Sequence, residues 1–173
     1  MSDMLADLPA IETARLRLAS LRLADAAALS AITDDPAITG RIDFITSPFT
    51  PDDAAALIRG QGDGRDCFVG LWHGTELVGV VGAHLAGADA IEIGYWIAAA
   101  RHGRGYATEA AAALVALLRA RFPRRRIFAE CRRDNRASWR VLEKLGFRPT
   151  GVPGARPGRE RLALDHAPDA ARR

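Results

Sequence analysis

The stretch that decides the fold covers residues 91–118 and reads IEIGYWIAAARHGRGYATEAAAALVALL. In its first part, apolar side chains occupy every second position from Ile91 to Ile97, which predicts a β-strand with one buried face. In its last part, apolar side chains recur every three or four residues from Ala107 to Leu118, which predicts an amphipathic helix. We therefore expect a strand followed by a helix that packs on the sheet containing that strand.

A glycine-rich basic turn joins this strand to this helix and reads RHGRGYA over residues 101–107. Gly103 and Gly105 allow the main chain to come close to a ligand, and the N–H groups at a helix start have no partner within the helix. This geometry is typical of phosphate binding. Glycines also close ordinary strand-to-helix connections, so a purely structural role for the turn stays open.

The segments before this stretch predict further strands and helices. Strands are predicted at residues 67–72 and 76–85, with turn residues between them, and another at residues 11–18. One helix is predicted at residues 26–32, because Pro36 disfavours helix in the residue before it. A second helix is predicted at residues 51–59, with Pro51 in its first turn. Residues 1–10 are expected to form a flexible tail.

The segments after the central helix continue the same alternation. Residues 126–131 predict a strand, and a helix is predicted from a cap at Asn135 or Asp134 to a stop at Gly146. Residues 149–158 are expected to form a loop before a last strand at residues 161–164, and residues 166–173 a second flexible tail. A chain of 173 residues suits one domain, which we place at residues 11–165.

The glycine-rich turn resembles the acyl-CoA pyrophosphate loop of the GNAT N-acetyltransferase superfamily. That loop is usually written Gln/Arg-x-x-Gly-x-Gly/Ala, and its fixed positions fall here on His102, Gly105 and Ala107. Asn135 and Ser138, with a helix that ends in Gly-Phe, resemble the second signature of the superfamily. The segments at residues 92–96 and 13–18 are similar to the RimJ/RimL-type branch, the protein N-terminal acetyltransferases and their relatives.

The resemblance, which covers about residues 11–165, implies the α/β GNAT fold. In that fold a mixed, mostly antiparallel central sheet has splayed central strands and is flanked by helices. It also implies acetyl-CoA as co-substrate, with no metal. Its pantetheine and acetyl group would be held by the main chain at Trp96, Ile97 and Ala98. The other implied cofactor-binding residues are Arg101, His102, Gly103, Arg104, Gly105, Tyr106, Ala107, Asn135 and Ser138.

Acetyl transfer from a thioester to an amine requires that the amine lose a proton and that the leaving thiolate be stabilised. Glu92 is the candidate base, because it lies on the strand face opposite Ile91 and Ile93. An ion pair between Glu92 and an arginine is the structural alternative. Glu130 is a rival candidate for the base.

Ser138 is the candidate group that donates a proton to the departing thiolate. It lies on the first turn of its helix, three residues after Asn135, so helix capping is the structural alternative for both side chains. Many GNAT enzymes have a tyrosine acid seven residues after the asparagine. Leu142 occupies that position here, which leaves Ser138 as the better candidate.

The resemblance also implies that the helical region before the sheet forms one wall of an acceptor groove. Arg41, Asp43 and Phe44 would line that wall, with Glu92 opposite. The branch implies the α-amino group of a protein or peptide as acceptor, by direct transfer in a ternary complex. Acetylation of an amino acid, a polyamine or an aminoglycoside is an alternative, and so is an acyl-CoA-binding module without catalysis.

Composition and charge bear on whether the protein binds nucleic acid or zinc or spans a membrane. The net charge is +3, but nine arginines crowd between residues 119 and 140. Without a nucleic-acid-binding motif, we expect these arginines to serve helix ends or anionic CoA rather than nucleic acid. Cys67 and Cys131 are isolated, which indicates neither a disulfide framework nor a zinc site. No segment is long enough to span a bilayer, so we expect a cytoplasmic protein, as a monomer or homodimer.

Overall fold

The protein is described here by a computed structural model that covers residues 4–5 and 8–165. Eight strands form one sheet: β1 (Ile11–Glu12), β2 (Arg17–Ser20), β3 (Asp66–His73), β4 (Glu76–Ala86), β5 (Ala90–Ile97), β6 (Arg126–Arg132), β7 (Arg148–Pro153) and β8 (Arg159–Ala163). Within the same residues, five α-helices flank it: α1 (Ala26–Thr33), α2 (Pro36–Thr39), α3 (Pro51–Arg59), α4 (Tyr106–Arg121) and α5 (Arg136–Lys144). None of these helices is long and apolar enough to cross a membrane.

The sheet has the order β1-β2-β3-β4-β5-β6-β8-β7, and every neighbouring pair is antiparallel except β5 and β6. The parallel pairing of β5 with β6 ends at the pair Glu92–Phe128, although β5 continues to Ile97 and β6 to Arg132. On its other edge, β6 pairs with β8 from Phe128 to Arg132. The two central strands therefore splay apart, as predicted, and among the described residues no strand lies beside the β6-facing edge of β5 beyond Glu92.

A hydrophobic cluster lies on each face of the sheet. On one face, Ile91 and Ile93 of β5 pack in the same cluster as Leu114 and Leu118 of α4. On the other face, Trp96 belongs to a cluster with residues from α1, α2 and α3. The alternation along β5 thus sends odd-numbered side chains towards α4 and even-numbered ones towards α1–α3.

Most predicted elements are confirmed, and the N-terminal region shows two corrections. Residues 11–18 do not form one strand, because β1 turns at Thr13, whose N–H donates to the Leu16 carbonyl at 2.8 Å, and pairs back on β2. The predicted flexible tail is wrong for Leu5 and Leu8, which are buried in the core. The Leu5 N–H also donates to the Gly64 carbonyl at 2.8 Å.

Two further differences lie at α2 and β7. Pro36 was expected only to end a helix, but it also begins α2, whose N-cap Asp35 accepts from the Ala37 N–H at 2.8 Å. The loop expected at residues 149–158 contains β7, an exposed edge strand whose pairing with β8 is irregular between Pro149 and Pro153. An edge strand tolerates proline because one side of its backbone needs no partner. The second predicted tail, residues 166–173, lies outside the described residues.

The turn between β1 and β2 is anchored to the start of α4 by Glu109. Its Oε1 accepts from the Thr13 hydroxyl at 2.7 Å and from the Arg15 N–H at 2.8 Å, while Oε2 accepts from Arg15 Nε at 2.7 Å. Burial by itself would raise the pKa of Glu109, but these hydrogen bonds and the guanidinium charge outweigh it and lower the pKa below its ordinary value.

We expect Glu109→Gln to lower the free energy of unfolding by about 1–3 kcal/mol at pH 7, because charged hydrogen bonds to the hairpin are lost. A lowered pKa in the folded state gives stability that is present above the unfolded pKa of about 4.3 and is lost as the pH falls through the folded value. The difference between wild type and variant should therefore shrink below about pH 4 in urea titrations. Glu12→Gln, at an exposed ion pair with Arg17, is the control, and a difference independent of pH would contradict the assignment.

Candidate active site

A cavity of about 590 Å³ opens where β5 and β6 splay apart. Its walls come from the free part of β5, from residues 129–131 of β6, from the turn before α4, from α5 and from the α2 region. The cavity is therefore open towards α4 and α5 on one face of the sheet and towards α1–α3 on the other. The turn at residues 101–107 and the pair Asn135 and Ser138, which resemble the two family signatures, both line this gap.

The turn before α4 adopts its shape through its two glycines. Gly103 and Gly105 have φ angles of 74° and 78°, in the left-handed region that other residues rarely adopt. Arg15 holds the turn from behind, because its Nη1 donates to the Arg104 carbonyl at 2.8 Å. The N–H groups at the start of α4 consequently face the cavity from a fixed position, which is the arrangement that binds phosphate.

Two side chains of this turn are engaged within the protein. Arg101 forms an ion pair with Glu76 through Nε, at 3.1 Å, and through Nη2. His102 Nε2 lies 2.7 Å from the Ile97 carbonyl and therefore carries the proton it donates there, because a carbonyl only accepts. Both residues line the cavity as predicted, but their side chains fix the turn rather than point freely at a ligand.

Three other cations line the cavity near the turn: Arg104, Arg140 and Lys144. Arg140 and Lys144 were not predicted as cofactor-binding residues, and both lie on α5. Arg140 and Lys144 are four residues apart, which puts them on one side of the helix. That spacing was the signal available in the sequence. The positive charge at this end of the cavity suits an anionic ligand.

The main chain at the end of β5 matches the prediction in part. Trp96 and Ile97 line the cavity, but Ala98 does not, and its N–H donates to the Val78 carbonyl at 2.9 Å. The Trp96 indole N–H donates to Thr33 Oγ1 at 3.0 Å, so this side chain attaches α1 to the sheet. The main-chain groups left for a ligand are those on the free edge of β5 beyond Glu92.

Tyr106, Ala107 and Asn135 also line the cavity. The Tyr106 side chain is buried, with the Arg15 guanidinium 4.9 Å above its ring, so it supports the turn. The Asn135 side chain accepts from the Ser138 N–H at 3.3 Å and caps α5. The structure therefore contains the helix-capping contact that was the alternative role for Asn135.

Ser138 faces Tyr95 across the gap between α5 and β5. The Tyr95 hydroxyl lies 2.9 Å from Ser138 Oγ and 3.1 Å from the Ser138 carbonyl, to which it donates. Burial raises the pKa of Tyr95, although its hydrogen bond to Ser138 opposes the shift. Tyr95 therefore stays protonated at neutral pH, and it holds the Ser138 hydroxyl at the edge of the cavity.

Glu92 lies on the predicted face of β5 and lines the cavity on the α1–α3 side. Its Oε1 contacts Nη2 of Arg156, which comes from the segment between β7 and β8. The ion-pair alternative is thus present, and a catalytic role for Glu92 stays a prediction.

Glu130, the rival base, also lines the cavity, but its side chain is 1% exposed. Its Oε1 accepts from the Ala155 N–H at 2.8 Å, and its Oε2 from Arg156 Nε at 3.2 Å. Each carboxylate oxygen is thus occupied in holding the segment between β7 and β8. This arrangement favours a structural role for Glu130 over proton transfer.

Arg41 and Phe44, which are predicted to line the acceptor wall, both line the cavity. The Phe44 ring is 49% exposed and lies 5.7 Å from the Phe68 ring and 6.3 Å from the Trp96 ring, between centroids. Asp43 does not line the cavity.

Asp43 instead accepts from Arg132 at 3.0 Å and from Arg159 at 2.9 Å. Arg159 also donates to the Arg41 carbonyl at 2.7 Å. These contacts attach the α2 region to β6 and β8, across the mouth of the cavity.

Comparison with known proteins identifies the family to which this architecture corresponds. Residues 15–148 match the family model described as the acetyltransferase (GNAT) domain. A curated relative, the uncharacterized N-acetyltransferase YnaD of Bacillus subtilis (strain 168), is 30% identical over 144 residues, which cover 82% of this chain and 84% of the relative.

Two solved structures share the fold. RimJ of Mycobacterium smegmatis, in complex with a CoA disulfide, is 27% identical with a TM-score of 0.75 and covers 86% of this chain and 81% of its own. The ribosomal L7/L12 α-N-protein acetyltransferase RimL, in complex with coenzyme A, is 21% identical with a TM-score of 0.80 and covers 92% of this chain and 100% of its own. These matches confirm the predicted fold and the predicted resemblance.

We expect Gly105→Val to weaken acetyl-CoA binding by about tenfold or more. A β-branched side chain at a φ of 78° costs roughly 1–2 kcal/mol, and a Cβ there would lie 3.4 Å from Arg15 Nη2. The turn should therefore shift and move its N–H groups away from the phosphates. Isothermal titration calorimetry measures the affinity, and Gly62→Val is the control because nothing lies within 4 Å of a Cβ built there. Unchanged affinity in a folded Gly105→Val variant would contradict the phosphate role of the turn.

Proposed function

The chain belongs to the GNAT acetyltransferase family and is an acetyl-CoA-dependent acetyltransferase, and we propose that its acceptor is the α-amino group of a protein or peptide. The acetyl group would pass directly from thioester to amine in a ternary complex. The observation that carries the proposal is the gap between β5 and β6, since one cavity reaches both faces of the sheet there. A cofactor can enter from one face and an acceptor from the other.

The residues on the α4–α5 side fit acetyl-CoA. The turn with Gly103 and Gly105 offers helix-start N–H groups to the pyrophosphate, and Arg104, Arg140 and Lys144 add positive charge. The pantetheine arm is an extended amide chain. It suits the free edge of β5, where main-chain groups replace the missing strand partner.

The groups proposed to handle protons lie on opposite sides of the gap. As the amine nitrogen forms its bond to the carbonyl carbon, the carbonyl oxygen becomes negative and N–H groups on the free edge of β5 stabilise it. The carbon–sulfur bond then breaks, and the Ser138 hydroxyl, held by Tyr95, gives its proton to the thiolate. The Ser138 oxygen regains a proton through solvent, from the nitrogen that becomes an amide. The amine loses its own proton on the α1–α3 side, where Glu92 carries a negative charge that attracts the incoming ammonium.

Two observations support a peptide as the acceptor. RimL is described as acting on the α-amino group of a ribosomal protein, and the acceptor wall of this chain presents the exposed Phe44 ring to an apolar side chain. The cavity is also lined on this side by Arg41, Arg156 and Arg159. This charge disfavours polycationic acceptors such as polyamines and aminoglycosides.

Ser138→Ala should lower kcat by about 10² or more while leaving the acetyl-CoA dissociation constant within about twofold, because only the proton donor is removed. The substitution retains the main-chain N–H that Asn135 caps, so α5 should stay intact. Steady-state kinetics and calorimetry separate the two effects, and Ser20→Ala on β2 is the control. A Ser138→Ala variant with wild-type kcat would remove Ser138 from the mechanism.

The acceptor is tested by an acetyl-CoA consumption screen over tetrapeptides with different first residues, free amino acids, polyamines and aminoglycosides. We expect turnover with a subset of peptides, and no turnover when the same peptides carry a blocked N terminus. Phe44→Ala should raise the KM for the active peptides and leave the acetyl-CoA affinity unchanged. Turnover confined to a polyamine or an aminoglycoside would overturn the peptide assignment.

A further inference from the structure

We propose that His84, oriented by Asp66, accepts the proton that the acceptor amine loses. The inference rests on the proposed use of the α1–α3 side of the cavity by the acceptor. It assigns a catalytic residue that neither the motifs nor the comparisons identify. It also gives Glu92 a different role from the one predicted for it, as a binding group for the ammonium and for Arg156.

His84 lies in a row of residues that crosses the sheet beside the gap. Strand register pairs Asp66 of β3 with His84 of β4, and His84 with Glu92 of β5. Directly opposed residues of antiparallel strands share a face, so all three side chains lie on the α1–α3 side. His84 and Glu92 line the cavity together.

Asp66 determines which nitrogen of His84 can accept a proton. The distance from His84 Nδ1 to Asp66 Oδ1 is 2.7 Å, and an ionised carboxylate can only accept. Nδ1 therefore carries the hydrogen in the neutral ring, and Nε2 carries the lone pair. Within residues 4–5 and 8–165, Nε2 has no hydrogen-bond partner, while the Phe68 ring packs 5.1 Å from the imidazole, between centroids.

Nε2 lies over Gly82, which lines the cavity. A Cβ built on Gly82 would lie 3.0 Å from Nε2, which places this atom above Gly82 rather than out in solvent. Gly94, which pairs with Gly82 across β4 and β5, has nothing within 4 Å of a Cβ built on it. The space between Nε2 and the free edge of β5 is therefore open, and an amine approaching a thioester on that edge would pass beneath the lone pair.

The charged groups around the imidazole come from every wall of this part of the cavity. Asp66 faces it from β3 and Glu92 from β5, Arg156 reaches Glu92 from the segment between β7 and β8, and Arg41 lines the α2 side. Glu92 is already in contact with the Arg156 guanidinium. Nε2 is thus an acceptor atom on this face to which no group of residues 4–5 and 8–165 donates, whereas Glu92 already carries the ion pair with Arg156.

The proton transfer needs no reactant other than the acceptor amine, the thioester and solvent. The ammonium of the acceptor gives one proton to His84 Nε2, and the resulting imidazolium is stabilised by the Asp66 carboxylate. The neutral amine then forms the C–N bond as the C–S bond breaks. The second proton, which the nitrogen loses on becoming an amide, passes through solvent to the Ser138 oxygen, which has given its own proton to the thiolate. Solvent takes the proton from His84 after the product leaves.

The first test compares pH profiles of kcat/KM for wild type, His84→Gln and Asp66→Asn, using acetyl-CoA and the most active amine from the screen. His84→Gln should lower kcat/KM by about 10²-fold or more at pH 7, with unchanged acetyl-CoA affinity. The defect should shrink above about pH 9, because an α-amino group with a pKa of about 8 is then already neutral. Asp66→Asn should lower kcat by a smaller factor with the acceptor KM unchanged. Asp89→Asn, at an exposed ion pair with Arg126, is the control for a lost carboxylate.

The two carboxylates and the imidazole can be distinguished in the same series. Glu92→Gln should raise the acceptor KM more than it lowers kcat, whereas His84→Gln should do the reverse. A wild-type pH profile in His84→Gln, or a defect of the same size at every pH, would overturn the proposal. If the screen finds a small amine in place of peptides, the same pH profiles are measured with that amine. Failure of the peptide assignment can therefore be distinguished from failure of the proposed role of His84.

A second test needs no acceptor. Ring ¹⁵N chemical shifts, with His84 identified through the His84→Gln spectrum, should show a protonated Nδ1 and an unprotonated Nε2 above pH 8. Asp66→Asn should mix the two tautomers. An imidazole protonated at Nε2 in the wild-type protein would contradict the proposal.

Discussion

The short parallel pairing between β5 and β6 is the constraint on which the rest of the structure depends. It ends at Glu92 and Phe128, although both strands continue beyond this pair, and β6 pairs with β8 on its other edge. Across the gap, the Tyr95 hydroxyl of β5 forms hydrogen bonds to Ser138 of α5, which hold the two elements together. A continuous sheet would have used the edge of β5 for a strand. The interrupted sheet leaves that edge to a ligand and opens one cavity to both faces.

This arrangement divides the chemistry between the two faces of the sheet. Odd-numbered positions of β5 face α4, where Tyr95 reaches Ser138, and even-numbered positions face α1–α3, where Glu92 lies beside His84. In the proposed mechanism, the leaving thiolate and the incoming amine would therefore meet different side chains. Fixed groups such as Arg15, Glu76 and Glu130 hold the surrounding segments in place. Their hydrogen bonds are made before any substrate arrives, which is preorganisation of the kind that electrostatic catalysis requires.

Sequence patterns predicted those features that depend on interactions between residues close together in the chain. The period of residues 91–118, the glycines of the turn and the cap at Asn135 each act within a few residues, and the structure contains the strand, turn, helix and cap that they predict. The contact between Asp66 and His84 depends on the register of two strands, which no local pattern indicated. The burial of Leu5 likewise depends on distant segments that close around it. The partner of Glu92 is also set by tertiary structure, through a loop about sixty residues away.

We place the acetyl-CoA site in the gap between β5 and β6. Amide hydrogen exchange, measured with and without acetyl-CoA, tests this placement directly because exchange reports each segment separately. We expect protection of residues 93–97, of residues 103–108 and of the first turn of α5, with unchanged exchange in the α3 region. Protection confined to the surface around Phe122 and Pro123, with no change at the end of β5, would contradict it.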